Sequence, residues 1–118
     1  MKALVVDDSA FMRNMMKQVL DDMDFEEIHE AESGEEAVEK HDEVEPDVIT
    51  LDIVMGEMSG IDALEQIKED DDDVTVIMVS AVGQEQMVDE AMEKGADDFV
   101  NKPFDEEDIK DTITELIA

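Results

Sequence analysis

Four places along this 118-residue chain carry side chains that could handle a charged group in transit: the pair Asp7-Asp8, then Asp52, Ser80 and Lys102. Three carboxylates brought within a few ångströms repel one another unless something neutralises them. A hard dication does this, and Mg²⁺ typically takes one or two carboxylates, a backbone oxygen and several waters. Lys102 adds a point charge for an anion, and Ser80 a hydrogen-bond donor. A Mg²⁺ beside an ammonium and a hydroxyl is the equipment that stabilises a transferring phosphoryl group. Asp52 is then the acid left to attack, a carboxylate nucleophile that forms an aspartyl phosphate. No general base is required, because a carboxylate already lacks its proton.

Taken singly, each residue has a plainer reading. An Asp after a strand most often caps a helix, and a lone Lys is most often solvated. The combination gains force because each group ends an apolar run. Asp7-Asp8 follows Ala3 to Val6, Asp52 follows Val48-Ile49-Thr50-Leu51, Ser80 follows Val74 to Val79, and Lys102 follows Asp98 to Asn101. If these runs are strands of one parallel sheet, their C-terminal ends line the edge where such sheets form a ligand crevice.

The intervening segments fit that arrangement. Strand one is 2–7. Ser9 can cap a helix in which Phe11, Met15, Val19 and Met23 recur every four residues, with Met12 and Met16 widening an apolar stripe read as core. Residues 25–32 are a weak second strand. Ser33-Gly34-Glu35-Glu36 is a capping box opening a helix to about Val44, and Pro46 stops it, directing Glu45 to an extended conformation. After strand three come a loop with Gly56 and a helix marked by Ile61, Leu64, Ile67 and Lys68. Helix four carries Met87, Val88, Ala91 and Met92, with Gly95 as its terminator. Asp105 caps a fifth helix whose Ile109, Ile113, Leu116 and Ile117 face inward. Five strand–helix alternations predict a single α/β domain with a doubly wound parallel sheet and right-handed crossovers. His29 and His41 are expected to be plain surface residues.

Charge is the extreme feature: 37 Asp+Glu against 8 Lys+Arg give a net −29. Disorder is excluded by a 42% hydrophobic content at helix and strand periods. Acids spread over nearly every helix point to a halophile, where salt screens self-repulsion. Nucleic-acid binding is not expected, since it needs a basic patch. No segment approaches the roughly 20 apolar residues that span a bilayer, and there is no cysteine for a disulfide or thiolate site. A cytoplasmic monomer away from the membrane is the expectation.

Four ordered motifs carry a resemblance: VVDDS at 5–9, LDIVM…GID at 51–62, VSA at 79–81 and NKPF at 101–104. Together they resemble the receiver domain of response regulators, over the whole chain 1–118. The chain is most similar to single-domain chemotaxis regulators of the CheY type, in a haloarchaeal style. The resemblance implies a flavodoxin-like (βα)5 fold with strand order 2-1-3-4-5. It implies that Asp52 is the phosphoacceptor, and that Asp8 and Asp52 are side-chain Mg²⁺ ligands. Asp7 would then act through water, and the Val54 carbonyl would be a backbone ligand. Lys102 would pair with the phosphate ahead of a cis peptide at Pro103. Ser80 would be the switch hydroxyl, and Phe99 the aromatic that turns inward. Implied partners are a CheA-like histidine kinase and a motility-motor adaptor or switch protein. Two positions depart from the family: Gly56 where proline is usual, and Phe99 where chemotaxis members have tyrosine. Met87, Met92 and Phe99 form an adaptable apolar surface suited to a partner groove.

Three alternatives compete. One is a stand-alone receiver in another pathway or a phosphorelay. Another is a phosphatase of the haloacid dehalogenase type, which wants a second Asp where Val54 stands. The last is a flavodoxin-like binding module, whose phosphate Asp7-Asp8 would repel.

Overall fold

The computed structural model describes residues 1–55 and 58–117; the expectation about Gly56 lies outside them. Five strands alternate with five helices: β1 Lys2–Val6, α1 Ala10–Asp22, β2 Glu27–Ala31, α2 Gly34–Val44, β3 Val48–Asp52, α3 Gly60–Asp70, β4 Thr75–Ser80, α4 Glu85–Glu93, β5 Asp98–Asn101 and α5 Glu106–Ile117. All strand pairs are parallel, in the order β2-β1-β3-β4-β5. This is the flavodoxin-like arrangement expected from the sequence.

Strands buried on both faces read as continuous apolar runs because successive side chains serve different cores. Leu4, Val6, Ile49, Leu51, Val76 and Met78 pack with Ala37, Leu64, Ile67, Val88 and Ala91 of α2, α3 and α4. Ala3, Val5, Val48, Ile77 and Val79 pack with Met16, Val19 and Leu20 of α1 and with Ile109 and Ile113 of α5. Serine side chains cap three helices: Ser9 Oγ accepts from the Met12 N–H, Ser33 from Glu36 and Ser59 from Asp62. Asp105 Oδ1 accepts the Glu107 N–H ahead of α5.

Three local expectations are corrected. Phe11 is 70% exposed and Met15 is also exposed, while Met16, Val19 and Leu20 are buried. A strict four-residue spacing drifts around a helix of 3.6 residues per turn, so Phe11, Met15, Val19 and Met23 cannot share one face. Glu45 is left-handed (φ 54°, ψ 62°) rather than extended, and its N–H donates to the His41 carbonyl. That conformation also avoids the helical region that Pro46 disfavours, and it terminates α2. His41 is buried, not a surface residue. It follows Gly34 and Ala37 on the inner face of α2, and its Nε2 lies 3.3 Å from Asp71 Oδ2. The Asp71 carboxyl is held below its ordinary value: partial burial works against this, but the His41 hydrogen bond and the Asp73 N–H outweigh it.

Candidate functional site

Strand register fixes where the polar groups land. Val6 pairs with Leu51, Asp52 with Val79, and Ser80 with Asn101. β1, β3, β4 and β5 therefore end level, and Asp7, Asp52, Ser80 and Lys102 meet at one edge. One carboxylate oxygen from each of Asp7, Asp8 and Asp52 lies within 4.8 Å of the others. Asp7 and Asp52 are buried, and Asp8 is exposed.

Lys102 bridges the buried acids, its Nζ 3.0 Å from Asp7 Oδ2 and 3.2 Å from Asp52 Oδ2. Burial alone would lower the Lys102 pKa; the hydrogen bond to Asp7 and the charge of Asp52 overcome it and raise the value. One ammonium does not balance three carboxylates. Burial first, then the Asp7 charge, push the Asp52 carboxyl from 3.8 up to about 6 despite Lys102. An all-oxygen, hard-donor cluster with excess negative charge fits Mg²⁺ chemistry, whereas the softer N/S sites would need His or Cys.

The acids are held by backbone contacts that the sequence did not advertise. Asp7 Oδ1 accepts the Ser9 N–H at 2.9 Å, and Arg13 Nη1 donates to the Asp7 carbonyl at 2.7 Å. Arg13 Nε in turn donates to Glu30 Oε1 at 3.0 Å, fixing the β1–α1 turn against β2. A side-chain donor reaching a loop carbonyl has no sequence period, so Arg13 gave no signal. Gly60 is required by contact: a Cβ there would run into the Asp52 carbonyl oxygen, and its N–H donates to the Ile53 carbonyl at 2.6 Å.

At the neighbouring strand ends, Ser80 Oγ donates to Asn101 Oδ1 at 3.0 Å, with the Val100 carbonyl 3.5 Å away. The Lys102 N–H donates to the Ser80 carbonyl at 2.7 Å, and the Lys102–Pro103 peptide is cis, as the motif implied. Phe99 is 39% exposed beside a cavity of about 450 Å³ that Ser80, Val82, Val88, Met92 and Asn101 also line. Val54 and Val82 are exposed next to the site. The hydrogen-bond partner of Ser80, Asn101, was not singled out from the sequence although it opens the NKPF motif.

Residues 3–114 match the response regulator receiver domain. The chain is 56% identical over 104 residues to a chemotaxis protein CheY of Listeria monocytogenes, covering 88% of this chain and 87% of that one. It is 41% identical to the CheY of Halobacterium salinarum, covering 99% and 97%. A crystal structure of a CheX–CheY–BeF3–Mg²⁺ complex from Borrelia burgdorferi superposes with a TM-score of 0.93 at 38% identity, covering 99% of this chain and 89% of that one. The chain belongs to the response regulator receiver family. Within it the chain is CheY-like, a phosphorylation-dependent regulator of chemotaxis, and so a phosphoacceptor switch rather than an enzyme that turns over a separate substrate. Among the described residues no helix is long and apolar enough to cross a membrane.

Proposed function

We propose that Asp52 accepts a phosphoryl group from the phosphohistidine of a CheA-like kinase and that the whole chain, 1–118, acts as one receiver unit. The observation that carries this is the shared Lys102 ammonium between two buried carboxylates at level strand ends. An Asp52 carboxylate oxygen attacks phosphorus, the bond from phosphorus to the donor nitrogen breaks, and the nitrogen leaves with the electron pair. Asp52 needs no base, since it reacts as the anion. Asp8, Asp52, the Val54 carbonyl and, through water, Asp7 would hold Mg²⁺, which when bound supplies charge neutralisation for the transferring group. In this way the domain assists its own phosphorylation and dephosphorylation.

Lys102 then exchanges carboxylate partners for the phosphoryl oxygens, and Ser80 turns its hydroxyl to the same anion. Phe99 follows into the adjoining cavity, which reshapes α4, β5 and α5 for a motility-motor adaptor or switch protein. The change is a population shift between two states, biased by the phosphoryl group's better contacts in one. The setting is a halophilic cytoplasm and the working form a monomer. Support for the salt-adapted reading comes from the net charge of −29.

Incubation with a small phosphodonor, with and without Mg²⁺, followed by intact-mass measurement tests the assignment. One phosphoryl group should be added in the presence of Mg²⁺ and none to Asp52→Asn. Undiminished labelling of that variant would place the acceptor elsewhere.

A further inference from the structure

The Ser80 hydroxyl carries one proton, and that proton is already engaged by Asn101 Oδ1 at 3.0 Å. A serine has a single O–H donor, and phosphoryl oxygens on Asp52 would be acceptors only. Ser80 can serve Asn101 or the phosphoryl group, not both. We propose that Asn101 is a latch: its amide oxygen holds Ser80 in the resting orientation and thereby sets how often the unphosphorylated protein visits the state with Phe99 turned inward. The proposal rests on the roles given above to Asp52 and Ser80, and makes Asn101 a positioning residue acting through Ser80.

The surroundings suit a latch. Ser80 and Asn101 are register partners at the end of the β4–β5 ladder, and the Lys102 N–H pins the Ser80 carbonyl. With its backbone held, Ser80 is released by side-chain rotation between staggered wells. Phe99 lies two residues before Asn101, hence on the same face of β5. All three residues line the cavity beside α4. The two ends of the latch are unequal. Asn101 is exposed and can replace the serine with water, whereas Ser80 is 1% exposed. Unlatching without phosphate therefore leaves the buried hydroxyl only the Val100 carbonyl, 3.5 Å away and a much poorer acceptor than Asn101 Oδ1 at 3.0 Å, which is disfavoured. A phosphoryl group removes that penalty and offers a charged acceptor, the stronger kind. Latch and phosphate thus compete for one proton, and the resting state wins only while Asp52 is bare.

The test uses ¹³C-labelled phenylalanine and reads the inward population of Phe99 by NMR in unphosphorylated, metal-free protein. Asn101→Ala should raise that population about 2- to 10-fold, the factor carried by one ordinary hydrogen bond. Apparent affinity for the output partner should rise by the same factor. Asn101→Asp keeps the acceptor and should not raise it. In a Ser80→Ala background, Asn101→Ala should change nothing, because the interaction is already gone. An unchanged population in Asn101→Ala, a rise in Asn101→Asp, or an equal rise in the Ser80→Ala background would each overturn the latch. No phosphate enters this measurement. Its failure is therefore distinct from failure of the Asp52 assignment, which the labelling of Asp52→Asn reports.

Discussion

Where β1 and β3 end, Asp7 and Asp52 are each 5% exposed and share the Lys102 ammonium; Ser9 and Arg13 tie down the turn at Asp7, and Gly60 packs against the Asp52 carbonyl. Where β4 and β5 end, Ser80 is as deeply buried, yet Val82, Met92 and Phe99 around it are exposed and frame a cavity. One half crowds like charges into a fixed geometry; the other leaves room for a ring to move. Chemistry requires the first, because a phosphoryl group must meet prearranged charge. Response requires the second, because a close-packed core has no second arrangement close in energy. Lys102 belongs to both halves: its ammonium lies among the acids while its backbone N–H holds Ser80.

The most severe way to break the comparison is to remove one member from each half. Asp52→Asn should lose labelling entirely, while Phe99→Ala should label normally and lose partner binding, measured by mass and by titration with the partner. Lys102→Ala should fall between them, accepting phosphate poorly and failing to switch. Loss of labelling in Phe99→Ala would make that ring part of the core that builds the acid site.

Screening acts on a larger scale than either half. With a Cα radius of gyration of 12.5 Å, the whole domain lies within one Debye length at about 0.01 M salt, roughly 30 Å. At about 1 M the length is roughly 3 Å. Self-repulsion among charges summing to −29 is then set against a stability that is usually about 5 to 15 kcal/mol. Melting temperature should climb steeply with KCl over that range. Millimolar Mg²⁺ should replace part of the salt by acting on Asp7, Asp8 and Asp52. A flat or falling melting temperature would remove the halophilic reading.

The acid half also has its own pH signature. The Asp52 carboxyl is raised from 3.8 to about 6, so between those values the folded protein binds more protons than the unfolded chain. Stability from this group is therefore greatest at low pH and falls as pH rises through that window. In metal-free buffer at pH 7, Asp52→Asn should be more stable than the parent by on the order of 1 to 3 kcal/mol. Denaturant melts at pH 4 and pH 7 check this, and the gap should shrink at the lower pH. The smallest expected effect concerns phosphoryl lifetime. Val54 and Val82 cannot hydrogen-bond an attacking water, so Val54→Asn should dephosphorylate faster than the parent, by a few-fold. Equal or slower decay would discard that role.

Sequence revealed the acid half more fully than the response half. Asp7, Asp8, Asp52, Ser80 and Lys102 were readable because each ends an apolar run, and parallel strands bring such ends together. The approximate positions of the strands followed from the same apolar runs, whereas their order, 2-1-3-4-5, was implied only by the resemblance to receiver domains. Asn101 and Arg13 were not readable, since their partners, Ser80 and the Asp7 carbonyl, lie across the fold rather than at a helical or strand period. His41 could have been found: it continues the Gly34–Ala37 spacing onto the buried face of α2. Phe11 and Met15 were misplaced because a four-residue spacing was followed for too many turns, and they leave an apolar strip on α1 exposed.

The link between the halves is tested most directly by one sample followed in two ways. Protein labelled with ¹³C-phenylalanine is treated with phosphodonor and Mg²⁺ in molar KCl, and its intact mass and the Phe99 ring signal are recorded together. The expected result is one added phosphoryl group with the Phe99 ring moving from a half-exposed to a buried environment in proportion, and neither change in Asp52→Asn. Full addition of the phosphoryl group with the Phe99 signal unmoved would contradict the account.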